Sequence, residues 1–323
     1  MKVKKAVITA AGRGARQYPA SNTVQKAMQT FVDRDGLTKP VIQIIGEEAI
    51  DSGIETIAVI VAPGDEEQYR AQFESMRHNL MSWYRGQDWA LLQMDRLRNL
   101  EQRMQFITQD SPEGYGHAVW CAKAFVGDEP FLLLLGDHLY ISGEARRCAT
   151  QIMDLAAEMD CSVAAVQETR EHLIHLYGTI CGKRLSGKPQ VYVIEEMLEK
   201  PNLSVAETKL LVPGLRPGHY LCFFGMHVLV PRIFEILDRH IEDNVRENGE
   251  IQLTPAMREL AQMEKYLALE TCGHRYNIGV PYGYVEAQIA LALAGKDRET
   301  MLSQLVEILL QQEQRTAHPV CCQ

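Results

Sequence analysis

The chain has 323 residues, of which 46% are hydrophobic and 23% charged, and its formal net charge is -9. This length and composition predict a folded chain with a substantial core and argue against disorder. The negative balance opposes nonspecific binding to nucleic acid or to an anionic membrane, so neither is expected as a partner. The apolar runs are shorter than the roughly 18 residues of a transmembrane helix, and none is predicted.

Eight cysteines are spread along the chain, and no two of them form a CxxC pair. In a chain of this size, such spacing indicates reduced thiols and a cytoplasmic location rather than a disulfide framework. The adjacent Cys321 and Cys322 could serve a redox or lipidation role. A tail without a role is the favoured interpretation, because the ending CCQ does not fit the prenylation pattern.

Strand-like apolar runs alternate with helix-like segments in the first half of the chain. Strands are predicted at residues 5–11, 56–62, 105–108, 131–135 and 162–166, and helices at 40–52, 66–103, 117–125 and 145–159. Trp83, Trp89 and several leucines are expected to anchor the long helix 66–103. The alternation predicts a parallel sheet that is covered by helices on both faces.

The pattern changes after about residue 177, where short strand candidates are mixed with loops. Strands are predicted at residues 177–181, 190–195 and 220–229, and helices at 231–240, 257–264, 284–293 and 301–312. The chain contains no repeat, no low-complexity block and no linker-like stretch rich in Gly, Ser or Pro. The sequence therefore predicts one domain, in which a nucleotide-binding half is followed by a second half that contains a mixed sheet.

A glycine-rich turn, AAGRGAR at residues 10–16, directly follows the first predicted strand. Its small residues let the backbone approach a phosphate or a base, and its free N–H groups can bind an anion. Arg16 adds a rigid bidentate donor. A turn without a ligand is the alternative. A dinucleotide-binding oxidoreductase is disfavoured because Gln17 stands where that fingerprint has its third glycine.

Lys26 and Asp137 are the next candidates for phosphate chemistry. Lys26 could neutralise phosphate charge, although a lone lysine is more often a surface residue. Asp137 follows the apolar run 131–135, and ligands of open α/β sheets collect at the carboxyl ends of strands. It could hold Mg²⁺ with phosphate oxygens, or it could cap the next segment. His138 has no second His or Cys at ligand spacing, which disfavours a soft-metal site.

Taken in order, these segments resemble the bacterial UTP–glucose-1-phosphate uridylyltransferase family, a branch of the sugar nucleotidyltransferases. The resemblance extends from about residue 3 to 294. It rests on KAVITAAGRGARQYPA at 5–20 with Lys26, Gln109 with GYGHAV at 114–119, LLLLGDH at 132–138, YGTI at 177–180, EKP at 199–201, GHYL at 218–221, GEIQLT at 249–254, YNIG at 276–279 and GY at 283–284.

The resemblance implies an α/β fold with a Rossmann-like mixed, mostly parallel sheet flanked by helices. It implies one catalytic domain over residues 1–296, with a nucleotide-binding half at 1–166, a sugar-binding half at 167–296 and a C-terminal helix and tail at 297–323. It also implies formation of UDP-glucose from UTP and glucose 1-phosphate, with Mg²⁺ as cofactor. Members of this family are commonly dimers or tetramers, so a homo-oligomer is expected.

Site residues are carried over from the family position by position. The expected catalytic residues are Arg16 on the leaving phosphates, Lys26 on the transferring group and Asp137 on Mg²⁺. The expected nucleotide contacts are Ala10, Ala11, Gly12, Gly14, Gln109 and Gly114, with Gln109 and Gly114 at uracil. The expected sugar and sugar-phosphate contacts are Gly178, Glu199 and Lys200, and the expected metal ligands are Asp137 and Asn277.

Four positions depart from the family pattern. Ala15 stands in place of threonine, Gln25 in place of proline, and His138 in place of a second acid. Asn277 stands where the family has an aspartate that completes the metal site, and an amide oxygen brings no negative charge to Mg²⁺. Two hypotheses follow: an active nucleotidyltransferase, or a catalytically impaired homologue that binds a nucleotide or sugar nucleotide in a regulatory or scaffolding role.

Overall fold

The computed structural model describes residues 1–12 and 24–317 of the chain. Its strands are β1 (Lys5–Thr9), β2 (Thr30–Val32), β3 (Thr38–Pro40), β4 (Thr56–Val61), β5 (Met104–Thr108), β6 (Phe131–Leu135), β7 (His138–Ser142), β8 (Ser162–Arg170), β9 (Thr179–Leu185), β10 (Lys188–Leu198), β11 (His219–Leu229), β12 (Tyr266–Glu270) and β13 (Gly273–Asn277).

Its helices are α1 (Val41–Asp51), α2 (Asp65–Trp83), α3 (Asp88–Arg103), α4 (Tyr115–Trp120), α5 (Lys123–Val126), α6 (Cys148–Met159), α7 (Leu203–Lys209), α8 (Arg232–Glu242), α9 (Leu253–Met263), α10 (Gly283–Leu293) and α11 (Arg298–Ala317). Two short 3-10 helices cover Lys26–Met28 and Glu171–Leu176. Within the described ranges, no helix is both long and apolar enough to cross a membrane.

The described strands build a nine-stranded sheet in the order β5-β4-β1-β6-β11-β8-β12-β10-β9. The strands β5, β4, β1 and β6 pair in parallel, as do β8 and β12, whereas β10 and β11 run antiparallel to their neighbours. Seven strands therefore point one way and two the other. The predicted α/β fold with a mixed, mostly parallel sheet is confirmed.

The central strands are buried on both faces, as their continuous apolar runs require. Along β1, Ala6 and Ile8 pack into one apolar cluster, and Val7 packs into another. β6 follows the same alternation. Successive side chains of a strand point to opposite faces, so helices cover the sheet on both sides.

Parallel pairing brings the carboxyl ends of β1, β4 and β6 to one edge of the sheet. Thr9 lies beside Ile60 on one side and beside Leu135 on the other. The amide of Ala10 donates to Ile60 O at 2.8 Å, and that of Gly136 donates to Thr9 O at 2.9 Å. The glycine turn after β1 and the aspartate after β6 therefore start from the same edge.

The predicted single helix at 66–103 is wrong, because the structure contains two helices, α2 and α3, joined by a turn. Gly86 in that turn has φ +82°, a left-handed conformation that a continuing helix cannot accept. The predicted anchoring by tryptophans is also wrong, since Trp83 is 74% and Trp89 37% exposed. The predicted anchoring by leucines is confirmed for Leu97 and Leu100 of α3, which are buried in the core.

Two small sheets were not predicted from the sequence. β2 and β3 form a hairpin, and β7 pairs antiparallel with β13, which follows it by about 130 residues along the chain. The β7–β13 ladder places Asn277 opposite His138, and the amide of Ile278 donates to Asp137 O at 3.0 Å. The late YNIG segment therefore lies against the end of β6.

Candidate active site

A cavity of about 540 Å³ opens at the carboxyl edge of the central strands. Every predicted site residue within the described part of the chain lines it, namely Ala10, Ala11, Gly12, Lys26, Gln109, Gly114, Asp137, Gly178, Glu199, Lys200 and Asn277. Gly14 and Arg16 lie outside the described residues. The cavity has a size typical of small-molecule sites.

The centre of the cavity holds a polar cluster of three side chains. Lys26 Nζ lies 3.2 Å from Asp137 Oδ2, and both side chains are largely buried. A Cβ atom built on Gly279 would lie 2.6 Å from Asp137 Oδ2, 2.8 Å from Lys26 Nζ and 3.0 Å from Asn277 Oδ1. One cation, one carboxylate and one amide therefore converge around Gly279, which has no side chain to occupy the space between them.

Asp137 is held as an anion by its neighbours. Burial alone would raise the pKa of its carboxyl. The hydrogen bond from His138 Nδ1 to Oδ1, at 2.8 Å, opposes that effect together with the nearby charge of Lys26, and the pKa is held well below its usual range. Asp137 therefore carries a full negative charge at neutral pH, which suits a metal or a cation as partner.

Two oxygens of the central cluster could hold a metal. They are the Asp137 carboxylate and the Asn277 amide oxygen, which also accepts from the Gly279 amide at 2.8 Å. Among the described residues, no three His, Cys, Asp or Glu side chains form a closed ligand set. Such an open pair fits Mg²⁺, which proteins often bind through one or two carboxylates together with substrate phosphates.

Gln25 does not face the centre of the cavity. It precedes the Lys26–Met28 helix, and its buried side chain donates a hydrogen bond to Asp65 at the start of α2. This contact ties the Lys26 segment to the neighbouring helix. The family's proline is therefore replaced here by a residue whose side chain packs against α2.

One end of the cavity is built around Gln109 and Gly114. The Gln109 amide nitrogen donates to Gly114 O at 3.2 Å and lies 3.0 Å from His117 Nδ1. Gly114 has φ +124°, and a Cβ there would lie 2.7 Å from Ile251 O. The Gly116 amide donates to that same carbonyl at 2.8 Å. Glycine is therefore needed where the GYGHAV and GEIQLT segments meet.

The other end of the cavity is built around Glu199. Thr254 Oγ1 donates to Glu199 Oε2 at 2.6 Å, and Lys200 Nζ lies 3.2 Å from Glu199 Oε1. A Cβ on Gly178 would lie 2.5 Å from Phe223 Cδ2 and 3.1 Å from Glu199 Oε2. A side chain at position 178 would therefore crowd both Phe223 and the Glu199 carboxylate, and glycine avoids this.

Further residues line the cavity and were not singled out as site residues from the sequence. They are Thr9, Ala27, Pro112, Tyr115, Ala118, Leu135, Gly136, His138, Leu176, Tyr177, Phe223, Gly225, His227, Glu250, Gln252, Thr254 and Met257. Several belong to matched segments, such as GYGHAV, YGTI and GEIQLT, which could have identified them. Phe223, Gly225, His227 and Met257 belong to no matched segment, and only the three-dimensional structure identifies them.

Tyr115 is notable within this set. Its hydroxyl is buried and has no hydrogen-bond partner among the described residues. Burial, and then the nearby charges of Glu199 and Asp137, raise the pKa of this hydroxyl, so it stays protonated. It is a protonated hydroxyl in the cavity wall, near the charges of both Glu199 and Asp137.

Comparisons with known proteins agree with this geometry. The Nucleotidyl transferase family model matches residues 5–292. A UTP--glucose-1-phosphate uridylyltransferase of Bacillus subtilis (strain 168) is 33% identical over 315 residues, which cover 97% of this chain and 99% of that protein.

Solved structures are similar over nearly the same span. A UDP-glucose pyrophosphorylase complexed with UDP-glucose has a TM-score of 0.70 at 30% identity, covering 89% of this chain and 98% of that chain. A UTP-bound UGPase from Acinetobacter baumannii has a TM-score of 0.70 at 25% identity, covering 94% of this chain and 98% of that chain.

Proposed function

Because the chain belongs to the UTP–glucose-1-phosphate uridylyltransferase family of nucleotidyl transferases, we propose that it forms UDP-glucose and pyrophosphate from UTP and glucose 1-phosphate. A phosphate oxygen of glucose 1-phosphate attacks the α-phosphorus of UTP. A new P–O bond forms, the bond to the oxygen that bridges the α- and β-phosphates breaks, and pyrophosphate leaves with the electron pair. The protein accelerates this step by positioning and by charge neutralisation.

The proposed roles follow the two ends of the cavity and its centre. Gln109 and Gly114, with the small residues after β1, receive the nucleotide. Glu199 accepts hydrogen bonds from sugar hydroxyls, and Lys200 neutralises the sugar phosphate. Lys26 lies between the two ends, where it can stabilise charge on the transferring phosphoryl group. Arg16 would act on the leaving phosphates.

Mg²⁺ is the proposed cofactor, held by Asp137 and Asn277 together with substrate oxygens. When bound, it neutralises charge on the triphosphate and on the leaving pyrophosphate. Asp137 supports this proposal because His138 and Lys26 keep it ionised. Asn277 orients its amide oxygen through the Gly279 amide. Asn277 offers a dipole but no charge, so we expect weaker metal binding than an aspartate would give.

The observation that carries the proposal is the Lys26–Asp137 pair at the centre of a cavity with Gln109 at one end and Glu199 at the other. The test is pyrophosphate release from UTP and glucose 1-phosphate with Mg²⁺. We expect Lys26→Ala to lower kcat by about 100-fold or more, as loss of one electrostatic contributor commonly does.

Lys188→Ala is the matched control, because Lys188 pairs with Glu158 on the surface, away from the cavity. Its rate should equal that of the wild type. A Lys26→Ala variant that keeps full activity would contradict the proposed site.

A second hypothesis, an impaired homologue that binds without turnover, is motivated by the departures from the family pattern, above all Asn277, with Ala15 and Gln25. It predicts a wild type that binds UDP-glucose yet releases no pyrophosphate, together with an Asn277→Asp variant that gains activity. Wild-type turnover eliminates it.

Three broader proposals accompany the reaction. The cavity takes its two ends from the two halves of the chain, which supports one catalytic domain at 1–296 with 297–323 as an appended helix and tail. The six described cysteines are unpaired, which supports a cytoplasmic location that cell fractionation can test. Exposed apolar side chains on α11, among them Leu302, Val306 and Leu309, support self-association as a homo-oligomer.

A further inference from the structure

A buried histidine lines the sugar end of the cavity. His227 on β11 is 2% exposed and belongs to the cavity wall. Its ring packs edge-on against Phe223, with 5.0 Å between ring centroids. The Phe223 amide donates to Gly178 O at 2.8 Å, and the Phe223 ring fills the space beside Gly178. Three successive contacts, through Phe223 and Gly178, therefore link His227 to Glu199.

A second set of contacts leads to the same place. His227 Nδ1 lies 3.1 Å from the Tyr266 hydroxyl, and that hydroxyl lies 3.3 Å from Met257 Sδ. Met257 is one helical turn after Thr254 on α9, so the two side chains lie on one face of the helix. Thr254 donates to Glu199. Both sets of contacts therefore link His227 to Glu199.

A β-bulge interrupts β11 between Phe223 and His227. Phe223 pairs with Val166 and His227 pairs with Ala164, so four steps along β11 match two steps along β8. Gly225 lies inside the bulge with φ +81°, and a Cβ there would lie 2.8 Å from Leu135 Cδ1. Bulges often redirect side chains beside active sites. Phe223 and His227 lie on either side of this bulge, and both line the cavity.

The second ring nitrogen of His227 has no partner in the part of the chain that the structure describes. His227 Nδ1 forms a hydrogen bond with the Tyr266 hydroxyl, and no described group forms one with Nε2. His227 lines the cavity, so Nε2 is the ring nitrogen that remains for a ligand. Water in the cavity can hydrogen-bond such a nitrogen, and a ligand group that displaces this water has to replace its hydrogen bond. A hydrogen-bonding ligand atom at that position meets this requirement.

The imidazole ring of His227 is neutral, and this limits which ligand atoms it can hydrogen-bond favourably. Burial lowers the pKa of His227 to about 3, so the imidazole carries no charge at neutral pH. A neutral ring nitrogen donates or accepts one hydrogen bond according to its tautomer. A hydroxyl can serve either tautomer, whereas an anionic phosphate prefers the cations at Lys26 and Lys200.

We propose that His227 Nε2 hydrogen-bonds one hydroxyl of the sugar and thereby helps to determine which sugar the site accepts. This inference rests on the proposed function, since it takes the Glu199 end as the sugar end. A site that hydrogen-bonds a hydroxyl rejects the analogue that lacks it, because its own polar group is then left unpaired. His227 therefore adds selectivity as well as affinity.

The first test compares His227→Phe with the wild type in steady-state kinetics. Loss of one neutral hydrogen bond should lower kcat/KM for glucose 1-phosphate by about 3- to 10-fold. KM for UTP should stay unchanged. His240→Phe is the matched control, because His240 is also buried but pairs with Glu259 between α8 and α9, away from the cavity. An equal rise of both KM values in His227→Phe would overturn the proposal.

Monodeoxy analogues of glucose 1-phosphate separate a contact from a packing effect. If His227 contacts one hydroxyl, the analogue that lacks it should react equally well with the wild type and with His227→Phe, whereas the other analogues keep the full loss. His227→Gln, which retains a hydrogen-bonding group, should recover part of the rate. A loss that is the same for every analogue would show that His227 only supports the fold of the wall, and the proposal would fail.

Calorimetry with UDP-glucose and UDP separates this inference from the proposed reaction. If the wild type binds UDP-glucose more tightly than UDP but shows no turnover, the reaction fails alone. His227→Phe should then weaken the binding of UDP-glucose by about 3- to 10-fold and leave the affinity for UDP unchanged. Equal weakening of both ligands would assign His227 to the nucleotide and overturn the inference. A wild type that binds UDP-glucose no better than UDP would also overturn it.

Discussion

Asn277 lies where a second charge would matter most. Its amide oxygen and Asp137 Oδ2 both border the space beside Gly279, with Lys26 Nζ as the third neighbour. A carboxylate at this position would add a negative charge beside Asp137. It would strengthen the attraction for a divalent cation, since ligand charge is one of the quantities that tune metal affinity.

We therefore predict that Asn277→Asp lowers the Mg²⁺ concentration for half-maximal rate, on the order of 10-fold. The measurement is an Mg²⁺ titration of the initial rate at saturating substrates. Asn202→Asp is the matched control, because Asn202 is an exposed helix cap that accepts from the Val205 amide, a role that aspartate can also perform. Identical Mg²⁺ curves for the two variants would argue against Asn277 as a metal ligand.

The burial of His227 also leads to a prediction about how the free energy of unfolding depends on pH. Burial lowers the pKa of His227 to about 3 in the folded chain, whereas the unfolded value is about 6.5. Below that unfolded value the unfolded chain binds the extra proton, so the free energy of unfolding falls as pH decreases. The contribution is about 1.4 kcal/mol for each pH unit between roughly pH 6 and pH 4.

The measurement is denaturant unfolding of the wild type and of His227→Gln across that pH range. The difference between the two should shrink as pH falls, because the variant has no imidazole to protonate. A difference that does not change with pH would show that His227 is not held neutral in the folded chain.

At the scale of elements, the loop before α4 depends on a close backbone contact. Gly114 has φ +124°, and a Cβ there would lie 2.7 Å from Ile251 O. Gly127 also has a positive φ, +61°, but a Cβ there would meet nothing within 4 Å. The two glycines therefore separate backbone strain from crowding.

We predict that Gly114→Ala lowers the free energy of unfolding by about 1–3 kcal/mol more than Gly127→Ala does. It should also raise KM for UTP, because Gln109 hydrogen-bonds Gly114 O. The measurements are denaturant unfolding and steady-state kinetics. Equal destabilisation by the two substitutions would mean that the contact with Ile251 O carries no cost.

The elements that were predicted correctly from the sequence have local signals. The apolar run 131–135 predicted β6 and placed Asp137 at the edge of the sheet, because a strand buried on both faces has a continuous apolar sequence. The β7–β13 pair lacks such a signal, since its strands are short and lie about 130 residues apart. Periodicity within one segment cannot show which distant segment will pair with it.

The same limit explains which site residues were predicted. Lys26, Asp137 and Glu199 came from family motifs, and the structure brings them to one cavity. His227 lies within a long apolar strand, where a lone histidine has no pattern of its own. Its place in the cavity wall is visible only in the three-dimensional structure.

At the scale of the whole molecule, α11 stands apart from the catalytic region. It follows α10 at the end of the chain, and Val306 and Leu309 are about half or more exposed. No residue of α11 lines the described cavity. We therefore predict that a chain ending at Asp297 keeps kcat within about threefold, because the removed side chains support no part of the site.

Light scattering at micromolar concentration tests the second half of this prediction. The full chain should run as an oligomer, and the chain ending at Asp297 should run as a monomer. A full chain that runs as a monomer would contradict the self-association proposal, and loss of activity on truncation would contradict the boundary at residue 297.

The most direct test of the proposed reaction is to follow the oxygens of the sugar phosphate. Glucose 1-phosphate labelled with heavy oxygen in its phosphate is incubated with UTP, Mg²⁺ and the wild-type chain. The masses of the products are then measured by mass spectrometry. We predict UDP-glucose that retains all of the label and pyrophosphate that contains none. Label in pyrophosphate, or an absence of UDP-glucose with these substrates, would contradict the account.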